Sequence, residues 1–188
     1  MKVLSAEEGA AALGLARQAL EAAVRNERLT QPALPPVFSE KRGVFVTLTE
    51  KGDLRGCIGL PYPVMPLGKA IPEAAASAAL QDPRFPPVEP EELPRIRVEV
   101  TVLSVPAPIN GPPRDRESCV QVGVHGLIVQ GHGRSGLLLP QVATEYRWTV
   151  CEFLDHTCVK AGLPPGTWRS PGTEVLTFEG QIFHEKEP

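Results

Sequence analysis

Val44-Phe45-Val46-Thr47-Leu48-Thr49, followed by Lys51-Gly52-Asp53 and then Leu54-Arg55-Gly56-Cys57-Ile58-Gly59, is the run whose reading decides the fold. Its first part alternates and is β-branched, Lys51-Gly52-Asp53 supplies a turn, and the last six residues return as a second strand, so the run predicts an antiparallel hairpin. With a loop from Glu50 to Asp53, Thr49 opposes Leu54 and Val46 opposes Cys57. That register buries the thiol on the face of Val44, Val46 and Leu48. One β-bulge, which the glycines favour, turns it onto the face of Phe45, Thr47 and Thr49 instead.

The returning strand has unusual local chemistry. Cys57 is two positions from Arg55 and lies between Gly56 and Gly59. A thiol is nucleophilic as thiolate, which a nearby Arg favours, and glycines let a ligand or another backbone come close. Residues two apart on a strand lie about 7 Å apart, where the Coulomb attraction is on the order of 2 kcal/mol at an effective dielectric near 20. Burial on the apolar face acts the other way, and buried free cysteines are common in cores. Both a chemical and a structural Cys57 are open at this point.

Outward from the hairpin, Ser5 and Glu8 form a capping box for an amphipathic helix over about residues 6–28, whose polar face carries Arg17, Glu21 and Arg25. The alanine-rich run from Pro66 to Leu80 predicts a second helix, kinked or divided at Pro72. Asp82-Pro83-Arg84-Phe85-Pro86-Pro87 is a rigid loop able to hold Arg84 in one place. Arg95 to Ser104 is a clean strand, with Ile96, Val98, Val100 and Val102 on one face and Arg97, Glu99 and Thr101 on the other. Short strands follow near Val120 to Val124, Leu127 to Gln130 and Gly136 to Leu139. A third helix is expected from about Thr144 to Ala161, and closing strands at Val175 to Phe178 and Gln181 to Phe183. Hairpin, helix and strand therefore come in the same order twice, which an internal β-β-α-β duplication would explain. The expected class is α+β, with antiparallel β-hairpins and sheet covered by helices.

Composition narrows the function. With 19 basic and 22 acidic residues the chain is slightly acidic and has only ten aromatic residues, so nucleic-acid binding finds little support. No apolar run approaches the length of a membrane span, and the start, Met1-Lys2-Val3-Leu4-Ser5, lacks the hydrophobic region of a signal peptide, which predicts a cytoplasmic protein. The four cysteines, Cys57, Cys119, Cys151 and Cys158, lack the spacing of a metal site. No metal and no cofactor is expected, and Cys151 and Cys158 read as core thiols of the third helix.

Candidate bases for a nucleophilic thiol are His125, at a strand end, and His132, at a hairpin tip. Glu99 reads as a cross-strand ion-pair partner or a proton-handling group. Gly131-His132-Gly133-Arg134-Ser135-Gly136 matches a dinucleotide pattern in letters only, since a strand follows it rather than a helix. The same hairpin presents Arg134 and Ser135 as donors for a carboxylate or phosphate.

These blocks taken together resemble the AMMECR-one domain family. Leu54-Arg55-Gly56-Cys57-Ile58-Gly59 looks like its signature, and the likeness continues through Asp82 to Pro87, Val98 to Ser104, His125 to Ile128, Arg134 to Gln141 and Cys158 to Leu163. The resemblance implies a stand-alone prokaryotic-type member, one domain over residues 1–188 in two unequal lobes, read here as a larger lobe of residues 1–105 and 141–188 and a smaller one of 106–140. Its functional core falls on Arg55, Gly56, Cys57 and Gly59. It also implies a modification pathway with Memo-like and radical SAM proteins as partners. The combined expectation is an enzyme or substrate-handling component with Cys57 as nucleophile or carrier and Arg55 as thiolate stabiliser. Arg84 and Arg134 would anchor a small anionic substrate in a cleft between lobes, with Gly56, Gly59, Glu99 and Ser135 lining it. The alternatives are a non-catalytic protein-interaction module and, third, an RNA binder.

Overall fold

The structure is a computed structural model that describes residues 4–30 and 32–185. The first three residues of the leader reading lie outside them. The chain divides into two units, the first running to Val105 and resumed at Gln181, the second Pro106–Gly180.

In the first unit α1 (Ala6–Val24) starts at the Ser5/Glu8 capping box. It ends where Arg25 caps the helix and Asn26 turns left-handed. The strands β1 (Val44–Glu50) and β2 (Asp53–Leu60) form the expected hairpin around Lys51 and Gly52, both at positive φ. Next come α2 (Leu67–Leu80) and β3 (Ile96–Leu103), and the unit is completed by β8 (Gly180–His184), giving the strand order β2-β1-β3-β8. Val44, Val46 and Leu48 of β1 and Val98, Val100 and Val102 of β3 bury one sheet face under Ala70, Ile71, Ala74 and Ala78 of α2 and Leu15, Ala16 and Leu20 of α1. The alanines let α2 lie close to the sheet. Pro72 leaves α2 in one piece, because near the start of the helix it costs a single backbone bond. Of the three charged residues on the polar face of α1, Arg17 ties its guanidinium to Glu185 and to the Ile96 carbonyl, while Arg25 pairs with Glu21 at 3.7 Å.

The second unit holds β4 (Ala107–Pro108), β5 (Gly126–Gly131), β6 (Arg134–Leu138), α3 (Pro140–Glu145), α4 (Val150–Lys160) and β7 (Glu174–Phe178), with strand order β4-β7-β5-β6. Residues 141–180 thus sit with residues 106–140 rather than in the larger lobe. The reason is packing: Phe153, Leu154 and Cys158 of α4 share a core with Leu127, Val129 and Val175. The expected third helix is two helices, because Arg147 takes a positive φ and Thr149 with Glu152 forms a fresh capping box. Residues 121–124 form a turn, not a strand. Hairpin, helix and strand give the order β2-β1-β3 in one unit and β6-β5-β7 in the other, so the expected repeat is present as topology.

Candidate functional site

The hairpin takes the bulged register. Thr49 pairs with Leu54 but Leu48 with Gly56 and Thr47 with Cys57, so Arg55 is the extra residue. Cys57 therefore shares the outer face with Thr47 and Phe45, half-buried, while Val46 and Leu48 are fully buried on the other side. The glycines have local reasons. A Cβ on Gly56 would stand 2.3 Å from the Ala78 carbonyl oxygen of α2, and one on Gly59 would stand 2.1 Å from the Phe45 ring across the strands. The close approach at Gly56 is another backbone's, and at Gly59 a cross-strand ring's.

β2 is an edge strand, and at Cys57 its edge is closed by the Asp82 to Pro87 loop instead of a further strand. The Cys57 N–H donates to Asp82 Oδ2 at 2.8 Å, and Arg84 Nη2 donates to the Cys57 carbonyl at 3.2 Å. Both backbone groups of Cys57 thus face the free edge, which makes Cys57 and Thr47 a non-hydrogen-bonded pair, the arrangement that brings facing side chains closest. Thr47 Oγ1 donates to Cys57 Sγ at 3.4 Å. Asp82 is the anchor: its side chain is 2% exposed and takes Arg84 Nε at 3.0 Å, Arg84 Nη2 at 2.7 Å and the Arg84 N–H at 3.1 Å. The Arg84 side chain, by contrast, is 53% exposed, and Nη1 makes no hydrogen bond among the described residues.

The electrostatics follow from this fork. The Arg84 side-chain hydrogen bond, against burial and aided by the Cys57 and Arg84 backbone N–H groups, holds Asp82 well below the usual carboxylate range. Hydrogen bonding to Asp82 is also the main cause that raises Arg84 above its ordinary value, and Cys57 adds a smaller share against burial.

Arg55 is not the guanidinium beside the sulfur. As the bulge residue it turns to the loop, where Nε and Nη2 grip Glu92 at 2.7 and 3.0 Å and Nη1 donates to the Pro86 carbonyl at 3.0 Å. That pair lowers the Glu92 pKa, chiefly through the Arg55 hydrogen bond. Arg55 is aimed at a neighbouring loop whereas Arg84 donates to the Cys57 carbonyl, so the guanidinium that touches Cys57 is Arg84.

Glu99 pairs in register with Thr47, so Cys57, Thr47 and Glu99 form one row across β2, β1 and β3 on the outer face. The expected ion pair is not formed: Glu99 has no hydrogen bond or ion pair among the described residues. Arg134 and Ser135 are exposed on the β5–β6 hairpin of the second unit, where Arg134 Nη1 donates to the Gly162 carbonyl past the end of α4. His125 Nδ1 accepts from the Gln121 N–H in that unit, and His132 is a turn residue at φ 52°. Cys158 is buried as expected, but Cys151 is partly open and its sulfur accepts from Arg169 Nη2 at 3.2 Å.

Among the described residues no three His, Cys, Asp or Glu side chains converge to hold a metal ion, and no helix is long and apolar enough to cross a membrane. Sequence reasoning missed Thr47, Asp82 and Glu92. Asp82-Pro83 carried a signal for its part, since Asp before Pro favours turn initiation and its side chain bonds the backbone two residues on.

The sequence model of a family described as AMMECR1 matches residues 13–183. A protein of Methanosarcina acetivorans is 54% identical, over 99% of this chain and 96% of its own. One from Methanothermobacter thermautotrophicus is 55% identical, over 97% and 96% respectively. The crystal structure of an uncharacterized protein from Pyrococcus horikoshii superposes with a TM-score of 0.80 at 45% identity, covering 98% of this chain and 95% of that one. With its hairpins, helices and register now described, this chain belongs to the AMMECR1 family.

Proposed function

We propose that Cys57 is the nucleophile or covalent carrier of a substrate-handling enzyme, acting on a small anionic substrate held by Arg84. The observation that carries this reading is the outer-face row of thiol, hydroxyl and a carboxylate without a partner among the described residues, with a fixed guanidinium at its edge. As thiolate the sulfur adds to an electrophilic carbon, and the displaced group leaves with its electron pair and takes up the thiol's proton. An acceptor nucleophile then attacks the same carbon, returns the bonding pair to sulfur and gives up its own proton to restore the thiol. Thr47 Oγ1 steadies the negative sulfur, and Arg84 Nη1 is free to grip the substrate's charge. Asp82 positions both by holding the Cys57 backbone and the Arg84 side chain at once. A reducing cytoplasm keeps such a thiol free. Memo-like and radical SAM proteins are the partners this reading takes, supplying or consuming the group carried on sulfur.

The test is alkylation of the native protein with one molar equivalent of iodoacetamide at neutral pH, located by peptide mass mapping. Cys57 is expected to be modified ahead of Cys119, although Cys119 is the more exposed. The rate should drop severalfold in Thr47→Val and Arg84→Met, each losing a charge-assisted or hydroxyl contact worth about 1–2 kcal/mol. Modification of Cys119 alone, or of Cys57 only after denaturation, overturns the reading.

A further inference from the structure

The row has a direction: one end presents the exposed Arg84 guanidinium, over its buried partner Asp82, and the other the Glu99 carboxylate. On the free-edge side of β2 lies the Arg84 guanidinium, fixed by Asp82 and by the Cys57 carbonyl, with Nη1 unengaged among the described residues. On the other side, past Thr47, lies the Glu99 carboxylate, with neither hydrogen bond nor ion pair among the described residues. Strand spacing places the Cα atoms of Cys57 and Glu99 about 10 Å apart, two ladder steps across the sheet. The other charged side chain on that face of β3, Arg97, stands two residues along the strand and acts on Glu185.

A purely anionic substrate would use one end of this row and be repelled by the other. A carboxylate with no partner among the described residues, on the same face as the thiol, is a site for a cationic group of the substrate. Resting on the chemistry proposed for Cys57, we infer that the substrate is amphoteric: an anionic group next to the electrophilic carbon, on Arg84, and a protonated nitrogen further along the same molecule, over Glu99. Such a molecule lies across the strands, its reacting carbon above Sγ and its cationic end two strands in. Glu99 is then a specificity residue that touches substrate, and it selects an amino-bearing compound over a simple acid.

Methanethiosulfonate reagents that differ only in charge test this on the full chain. Their reaction with Cys57 is followed at pH 7, with a sulfonate, a neutral or an ammonium tail. In Glu99→Gln the ammonium-to-neutral rate ratio should fall about three- to tenfold and the sulfonate-to-neutral ratio should rise, while Glu99→Asp keeps the native ratios. In Arg84→Met the sulfonate-to-neutral ratio should fall by a similar factor. A ratio that ignores the charge at position 99, in a protein whose Cys57 still reacts with the neutral reagent, overturns the amphoteric substrate and leaves the nucleophile standing. A Cys57 inert to the neutral reagent overturns both.

Discussion

In the first unit the row across β2, β1 and β3 reads Cys57, Thr47, Glu99; in the second, the matching row across β6, β5 and β7 reads Leu137, Ile128, Leu176. The match is fixed by the residue before each row. Gly56 pairs with Leu48 and meets the Ala78 carbonyl near the end of α2, while Gly136 pairs with Val129 and meets the Ala161 backbone at the end of α4. Both hairpins turn through two residues at positive φ, Lys51-Gly52 and His132-Gly133. Only the first hairpin has an extra residue between turn and glycine, and that residue is Arg55. The matching backbone positions of the second unit carry aliphatic side chains, so strand pairing by itself does not ask for a thiol, a hydroxyl and a carboxylate in one line. Ile128 is buried where Thr47 is half-buried, so the two rows differ in burial as well as in side-chain chemistry.

Several substitutions strain this match, and the two glycines should do so most. Gly56→Ala and Gly136→Ala each push a methyl into helix backbone, 2.3 and 2.2 Å from the nearest atom. Backbone cannot swing aside as a flexible side chain can, so each should cost about 3 kcal/mol in urea unfolding. Tolerance at one site and not the other would break the structural equivalence of the two hairpins.

Deleting Arg55 comes next. The first hairpin would then pair as the second does, with Cys57 still on the outer face. Losing the grip on Glu92 and the Pro86 carbonyl should cost about 2 kcal/mol while the unit stays folded. Complete unfolding would mean that the bulge is a requirement of the unit rather than an addition to it.

A smaller effect is the acid limb of stability. The folded pKa of Asp82 lies below its unfolded value of about 4. Its stabilisation is therefore present above about pH 4 and is lost as pH falls through the depressed folded value. Asp82→Asn, with no charge to protonate, should flatten the fall in urea midpoint between about pH 5 and 2. An unchanged slope would remove Asp82 as the anchor of the β2 edge.

Much of this architecture is legible in the residues. The Ser5/Glu8 box, the alternation of Ile96, Val98, Val100 and Val102, and the turn at Lys51-Gly52 each specify their element by local physics alone. The site is less legible, because it depends on long-range register. Two hairpin registers differ by one residue and place Cys57 on opposite faces, and the choice rests on Ala78 receiving Gly56 and on the loop at Pro86 and Glu92 receiving Arg55. Proximity in sequence pointed to Arg55 as the cation for the thiol. The structure instead brings Arg84 from 27 residues away, held there by Asp82, whose place before Pro83 signals a turn but not a grip on β2. The division of the third helix had a signal at Thr149 and Glu152, but helical spacing continuing from Thr144 masked it.

The most direct measurement is the unfolding free energy of the triple variant Cys57→Leu, Thr47→Ile, Glu99→Leu, which writes the second unit's row into the first. If the row is kept for chemistry, the variant should unfold within about 1 kcal/mol of the native protein, or above it, since partly buried polar groups give way to aliphatic ones of workable size. A loss of more than about 3 kcal/mol would mean that thiol, hydroxyl and carboxylate hold the sheet together, and would contradict the account.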